Sequence, residues 1–99
     1  ESPMPKGYLV SVYKAIHDEE KVAAYAKLAK LALESFGGQF IIRGMPVIVK
    51  ENGVMNRTVV CEFPSVEVAK TAVDSPAYAE ALDALDGAAD RDMRIVEGV

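Results

Sequence analysis

Along the chain, runs in which apolar residues crowd or alternate give way to runs in which they recur every third or fourth position. Lys6 to Lys14, "KGYLVSVYK", is rich in aliphatic, β-branched and aromatic residues and predicts a first strand. His17-Asp18-Glu19-Glu20 then opens a helix, with Asp18 suited to the N-cap and the two glutamates to the positive end of the helix dipole. Val22, Ala26, Ala29, Leu33 and Phe36 return at helical spacing, while Glu20, Lys27, Lys30 and Glu34 mark the wet face. Gly37-Gly38 predicts a left-handed stop. Gln39 to Lys50 and Met55 to Phe63 predict two more strands. Asn52-Gly53 between them tolerates positive φ and predicts a two-residue hairpin turn. Ser65 caps a short helix through about Val73, and Ser75-Pro76 restarts it with Pro76 at the first helical position. Tyr78, Ala81, Leu82, Leu85 and Ala89 form its apolar stripe, and Met93 to Glu97 predicts the last strand.

The order is β-α-β-β-α-β, the pattern of an α+β ferredoxin-like fold: one antiparallel sheet with helices on one face. Alternation assigns Phe40, Ile42, Val59, Cys61 and Phe63 to the face under the helices, with Val10, Val12, Met93 and Ile95 beside them. The opposite face then carries Ile41, Arg43, Val47, Val49, Thr58, Val60 and Glu62, with Leu9, Ser11, Tyr13, Arg94 and Val96. A sheet face open to water reads mostly polar, and this one is half apolar. The chain has no third layer to cover it. The expected cover is a second copy, packed sheet to sheet about a two-fold axis as a homodimer.

Arg43 interrupts the apolar run "QFIIRGMPVIVK". A buried charge is costly without a partner. Counting pairs outward from an Asn52-Gly53 turn sets Val47 opposite Thr58 and Arg43 opposite Glu62, a guanidinium facing a carboxylate. A bulge at Gly44-Met45-Pro46 would shift that register, and Pro46 itself implies an edge strand or a bulge. Two readings follow. In one, Arg43 and Glu62 form a structural ion pair in a non-catalytic dimeric module. In the other, Arg43 anchors a carboxylate or enolate oxygen and Glu62 serves as proton acceptor. Ser11 and Tyr13 then share the face, and Tyr25 and His17 stand at the rim. The ligand in that case is a small organic acid or aromatic metabolite, bound or converted without a cofactor.

Other chemistry finds little support. His17 is the single histidine, with no acids at metal-ligand spacing, so a helix-start role is expected ahead of proton transfer, and no metal is expected. Cys61 alternates onto the covered face and is expected to be inert packing. Tyr78, in an apolar stripe, is expected to pack. There is no phosphate-cradling glycine loop, no nucleophile elbow, no cysteine pair, and no aromatic pair on the third strand to stack RNA bases.

Composition narrows the partners. The 99 residues predict one domain, expected over residues 4–99, with Glu1-Ser2-Pro3 read as an addition ahead of a natural start at Met4. The net charge of −4, with acids crowded in the C-terminal third, would repel a phosphate backbone, so nucleic acid is not expected. No apolar run is long enough for a membrane span and no signal segment opens the chain. A single cysteine fits a reducing compartment, and a cytoplasmic location is expected.

Five short motifs, "KGY", "AY", "FGGQFIIRG", "CEFPS" and "SPAY", stand in the order and spacing of the family of domains of unknown function 1330. The chain resembles that family from Lys6 to Val99. The resemblance implies the dimeric α/β-barrel superfamily, whose members are small and dimerise sheet to sheet. Relatives there include cofactor-free monooxygenases, muconolactone isomerases and haem-binding or haem-degrading enzymes. The positions matching the motifs are Tyr25, Gly37, Gly38, Arg43, Gly44, Glu62, Phe63, Pro64, Ser75 and Tyr78. The family has no established reaction, so the resemblance implies fold and assembly rather than chemistry.

Overall fold

A computed structural model describes residues 5–99; the expected domain start at Met4 and the three residues before it lie outside the described residues. The elements are β1 (Gly7–Ile16), α1 (Glu19–Glu34), β2 (Gln39–Gly44), β3 (Thr58–Phe63), α2 (Val66–Val73), α3 (Pro76–Leu85) and β4 (Ala89–Glu97). The strands form one antiparallel sheet in the order β2-β3-β1-β4. This is the expected ferredoxin-like α+β fold.

Local chemistry sets the helix ends. The Asp18 carboxylate accepts from the N–H groups of Glu20 and Lys21 at 3.0 and 3.2 Å, and Ser65 and Ser75 cap α2 and α3 through their hydroxyls. After α1, Gly37 turns the chain at φ 85°. Gly38 lets the helix end rest on the sheet: a Cβ there would come within 2.7 Å of the Leu33 carbonyl oxygen and 2.9 Å of Cys61 Sγ. Helix α1 packs along α3, and α2 lies on β1, β3 and β4. One core joins all three helices to one sheet face, with Leu33, Cys61 and Phe63 fully buried and Ala69, Ala72 and Ala81 filling the close approaches.

The hairpin departs from expectation. Strand β2 ends at Gly44 and β3 begins at Thr58. Pro46 lacks the N–H a ladder needs, and pairing stops just before it. The Asn52-Gly53 turn does not form as a two-residue loop. The Gly53 N–H donates to the Lys50 carbonyl at 2.9 Å and Glu51 takes φ 54°, so the turn is centred one residue earlier, at the tip of a long connection.

Register differs too. Phe40 faces Cys61 and Ile42 faces Val60, leaving Ile41 as the extra residue of a bulge. Beyond it Arg43 faces Val59, while Glu62 faces Gln39. The expected Arg43–Glu62 pair therefore does not exist. The single inserted residue carries Arg43 to the helix side and Ile42 to the open side, the reverse of the alternation drawn without it.

Strand β1 is also reversed: Leu9, Ser11 and Tyr13 face the helices, and Val10 and Val12 the open side. As a central strand it carries sizeable side chains on both faces, so its own alternation does not choose between them. Ala89, expected in the last helix, opens β4 instead. Phe40, Val59, Cys61, Phe63, Met93 and Ile95 lie on the helix side as expected, and Thr58, Val60, Glu62, Arg94 and Val96 on the other.

Candidate functional site

Between α1 and the sheet lies a cavity of about 60 Å³. That is several times the roughly 15 Å³ that one water needs. Its wall is apolar: Leu9, Val22, Ala29, Leu33, Phe40 and Val59. Its polar lining is Ser11, Tyr13, Tyr25, Cys61 and three arginines, Arg43, Arg57 and Arg91.

Strand pairing gathers the arginines. The Tyr13 N–H donates to the Arg57 carbonyl at 2.9 Å, and on its other side Tyr13 pairs with Arg91 of β4. Arg57, Tyr13 and Arg91 thus form a row across three strands on the helix side. Arg43 joins them from β2, its guanidinium 5.8 Å from the Phe40 ring centroid. Arg91 is the most confined. Its guanidinium lies 4.6 Å from the Tyr25 ring centroid and 5.6 Å from that of Tyr13, and Nη1 donates to Tyr25 Oη at 2.7 Å. Tyr25 Oη is in turn 2.7 Å from the hydroxyl of Tyr78, which is buried behind it.

Among the described residues no carboxylate lines this cavity and none of the three arginines forms an ion pair. Gathering three like charges without a counter-charge is unfavourable, more so where the walls are apolar. The other titratable groups stay protonated at neutral pH. Burial raises the phenols of Tyr13 and Tyr25 above their usual range and pushes the Cys61 thiol up to about 11. The cavity therefore offers hydrogen-bond donors and positive charge, and no base.

Of the residues singled out from sequence, the fold brings Ser11, Tyr13, Tyr25 and Arg43 to this one cavity. It keeps Glu62 and His17 away. Glu62 is on the open face, where it accepts from Lys6 Nζ at 3.0 Å and Tyr8 Oη at 3.1 Å. The Lys6 hydrogen bond holds its carboxyl below the usual carboxylate value. His17 is exposed, with Nε2 3.1 Å from Asp90 Oδ2. Among the described residues no group of three metal-ligating side chains comes together. Sequence reasoning missed Arg57 and Arg91. Each stands two residues before a position correctly placed on the helix side, Val59 and Met93: Arg57 lies within the expected strand Met55 to Phe63, where one more step of the alternation reaches it, and Arg91 lies one step ahead of the expected start of the last strand at Met93.

The family model for "Domain of unknown function (DUF1330)" matches residues 6–99. No curated protein matches the chain in sequence. Among solved structures, a protein of unknown function from Rhodopseudomonas palustris, RPA0582, is 20% identical with a TM-score of 0.70, covering 99% of this chain and 85% of its own. SnoaB, a cofactor-independent oxygenase from Streptomyces nogalater, is 14% identical with a TM-score of 0.63, covering 93% and 91%. A dimeric protein of unknown function and ferredoxin-like fold from Bacteroides fragilis is 16% identical with a TM-score of 0.51, covering 93% and 95%. These likenesses establish the fold.

Proposed function

We propose that this chain, which belongs to the DUF1330 family, binds a small organic anion in the cavity between α1 and the sheet. The carrying observation is the set of three arginines that share one cavity with no carboxylate among the described residues of its lining. A carboxylate, enolate or phenolate oxygen supplies the missing charge, and an aromatic or short aliphatic body fits the walls of Leu9, Val22, Phe40 and Val59. Conversion with Glu62 as proton acceptor is withdrawn, because Glu62 stands on the other side of the sheet. The reading of Arg43 and Glu62 as a structural ion pair goes with it. SnoaB is a cofactor-independent oxygenase, and stabilising negative charge on an organic substrate is the part of such chemistry that the donors here support.

Calorimetric titration with a panel of aromatic and short-chain carboxylates, each matched by its neutral amide, tests this. Carboxylates are expected to bind and amides not to. Arg43→Met and Arg57→Met are each expected to weaken binding by roughly tenfold, the value of one charge-assisted contact. Equal binding of acid and amide, or no binding at millimolar concentration, overturns it.

The partner we propose is a second copy. Ile42, Val60 and Val10 form an apolar row across three strands of the open face; Ile42 is 50% exposed, Val10 is half-buried and Val60 is buried. The connection beyond β2 adds Met45, Val47 and Ile48, with Val47 98% exposed. Charged pairs, Lys6 with Glu62 and Arg94 with Asp92, border the row and provide a polar rim. The Bacteroides fragilis protein of this fold is a dimer. Light scattering should give twice the monomer mass; a monomer at micromolar concentration overturns the proposal. Among the described residues no helix is long and apolar enough to cross a membrane. The buried, unpaired Cys61 suits a reducing compartment, which supports a cytoplasmic location.

A further inference from the structure

Three hydrogen-bonding groups meet behind the cavity: Arg91 Nη1, Tyr25 Oη and Tyr78 Oη. A guanidinium only donates, so Tyr25 Oη accepts from Arg91. The contact between the two phenols holds one hydrogen, given by one of them. Tyr78 is 2% exposed, does not line the cavity, and among the described residues has no other partner for its hydroxyl. If Tyr25 donated to Tyr78, the hydrogen of Tyr78 would be buried without an acceptor. A buried donor left unpaired is disfavoured by an amount comparable to a full hydrogen bond. Tyr78 is therefore the donor, and Tyr25 Oη accepts from both neighbours. Its own hydrogen has no partner among the described residues, and Tyr25 is the member of the pair that lines the cavity.

From this we infer that Tyr25 donates its hydroxyl hydrogen into the cavity, so that an oxygen of the bound anion lies against Tyr25 and Arg91 at once. The inference rests on the anion-binding reading of the same cavity and narrows it. The ligand presents an oxyanion able to accept from a phenol and a guanidinium side by side, as a carboxylate or enolate does, and a ligand that must itself donate at this place is excluded. Tyr78 only fills the second acceptor site of Tyr25 from behind, away from the cavity. Burial raises the phenol of Tyr25 above its usual range, which keeps the hydrogen in place across the working pH.

Two measurements decide the matter. In the free protein with isotope-labelled tyrosine rings, proton NMR should show a slowly exchanging hydroxyl hydrogen that belongs to Tyr78. A protected hydroxyl hydrogen belonging to Tyr25 overturns the donor assignment by itself, whatever binds. With benzoate as the probe, Tyr25→Phe should weaken binding roughly tenfold, whereas Tyr78→Phe should stay within about threefold of the parent. Tighter binding by Tyr78→Phe would mean that the Tyr25 hydrogen had been engaged with Tyr78, and overturns the inference, as does unchanged binding by Tyr25→Phe. A parent that binds no benzoate overturns the ligand assignment together with the anion reading, while the hydroxyl assignment is still decided in the free protein.

Discussion

Arg91 Nη1 donates to Tyr25 Oη at 2.7 Å, which ties β4 to α1 across the closed end of the cavity. Replacing Arg91 with methionine removes that bond and the stacking on Tyr25 and Tyr13. Unfolding in urea should show a loss of about 1–2 kcal/mol. Lysine should not restore it, because an ammonium lacks the planar fork that stacks and donates together.

The bulge at Ile41 decides which side of the sheet Arg43 occupies. Deleting Ile41 should remove the bulge and leave Phe40 opposite Cys61 and Arg43 opposite Val59, so that Arg43 stays on the helix side. Carboxylate affinity should then stay within about threefold of the parent, in contrast to the roughly tenfold loss in Arg43→Met, with the fold retained. Circular dichroism and calorimetry on the same sample check both halves.

The Lys6–Glu62 pair predicts two pH limits. The folded-state value of Glu62 is depressed below its ordinary 4.5, chiefly by the Lys6 hydrogen bond. Its contribution is therefore present above pH 4.5 and is lost as pH falls through the lower folded value. Lys6 is raised above 10.5 by the same bond, so its share is present below that pH and is lost as pH rises through the higher folded value. Urea midpoints measured from pH 3 to 11 should show both limbs in the parent and a flatter profile in Glu62→Gln. Carboxylate affinity at neutral pH should be the same in both, because Glu62 does not line the cavity.

Cys61 is buried, and burial pushes its thiol up to about 11. At pH 8 a disulfide reagent should leave it untouched in the native protein and react at once after unfolding. Fast reaction in the native state would contradict its place beneath α1.

Gly38→Ala should be destabilising by about 1–3 kcal/mol. The new methyl would meet Leu33 carbonyl oxygen and Cys61 Sγ below contact distance, and one of them is backbone. A melting curve suffices to test it.

Much of the fold was legible along the chain. Asp18, Ser65 and Ser75 announce their helices because capping depends on residues within one turn. The β-α-β-β-α-β order follows from periodicity and breakers alone. The candidate site was only partly legible. Ser11, Tyr13, Tyr25 and Arg43 were all named, yet Ser11, Tyr13 and Arg43 were assigned to the wrong face and Arg43 to the wrong partner. Arg57 was missed because the alternation was not carried back to it within its strand, and Arg91 because the last strand was begun too late, at Met93.

By itself, then, the sequence determined the elements, their order and the residue types available for chemistry, since those depend on neighbours a few positions apart. Only the tertiary structure decided that Arg43, Arg57 and Arg91 converge on one cavity and that Glu62 is excluded from it. That choice turned on a single bulged residue, Ile41, and on which face of the two-sided strand β1 the helices covered. Strand parity is a period of two, so one added residue exchanges the faces, and nothing local in the chain records the exchange.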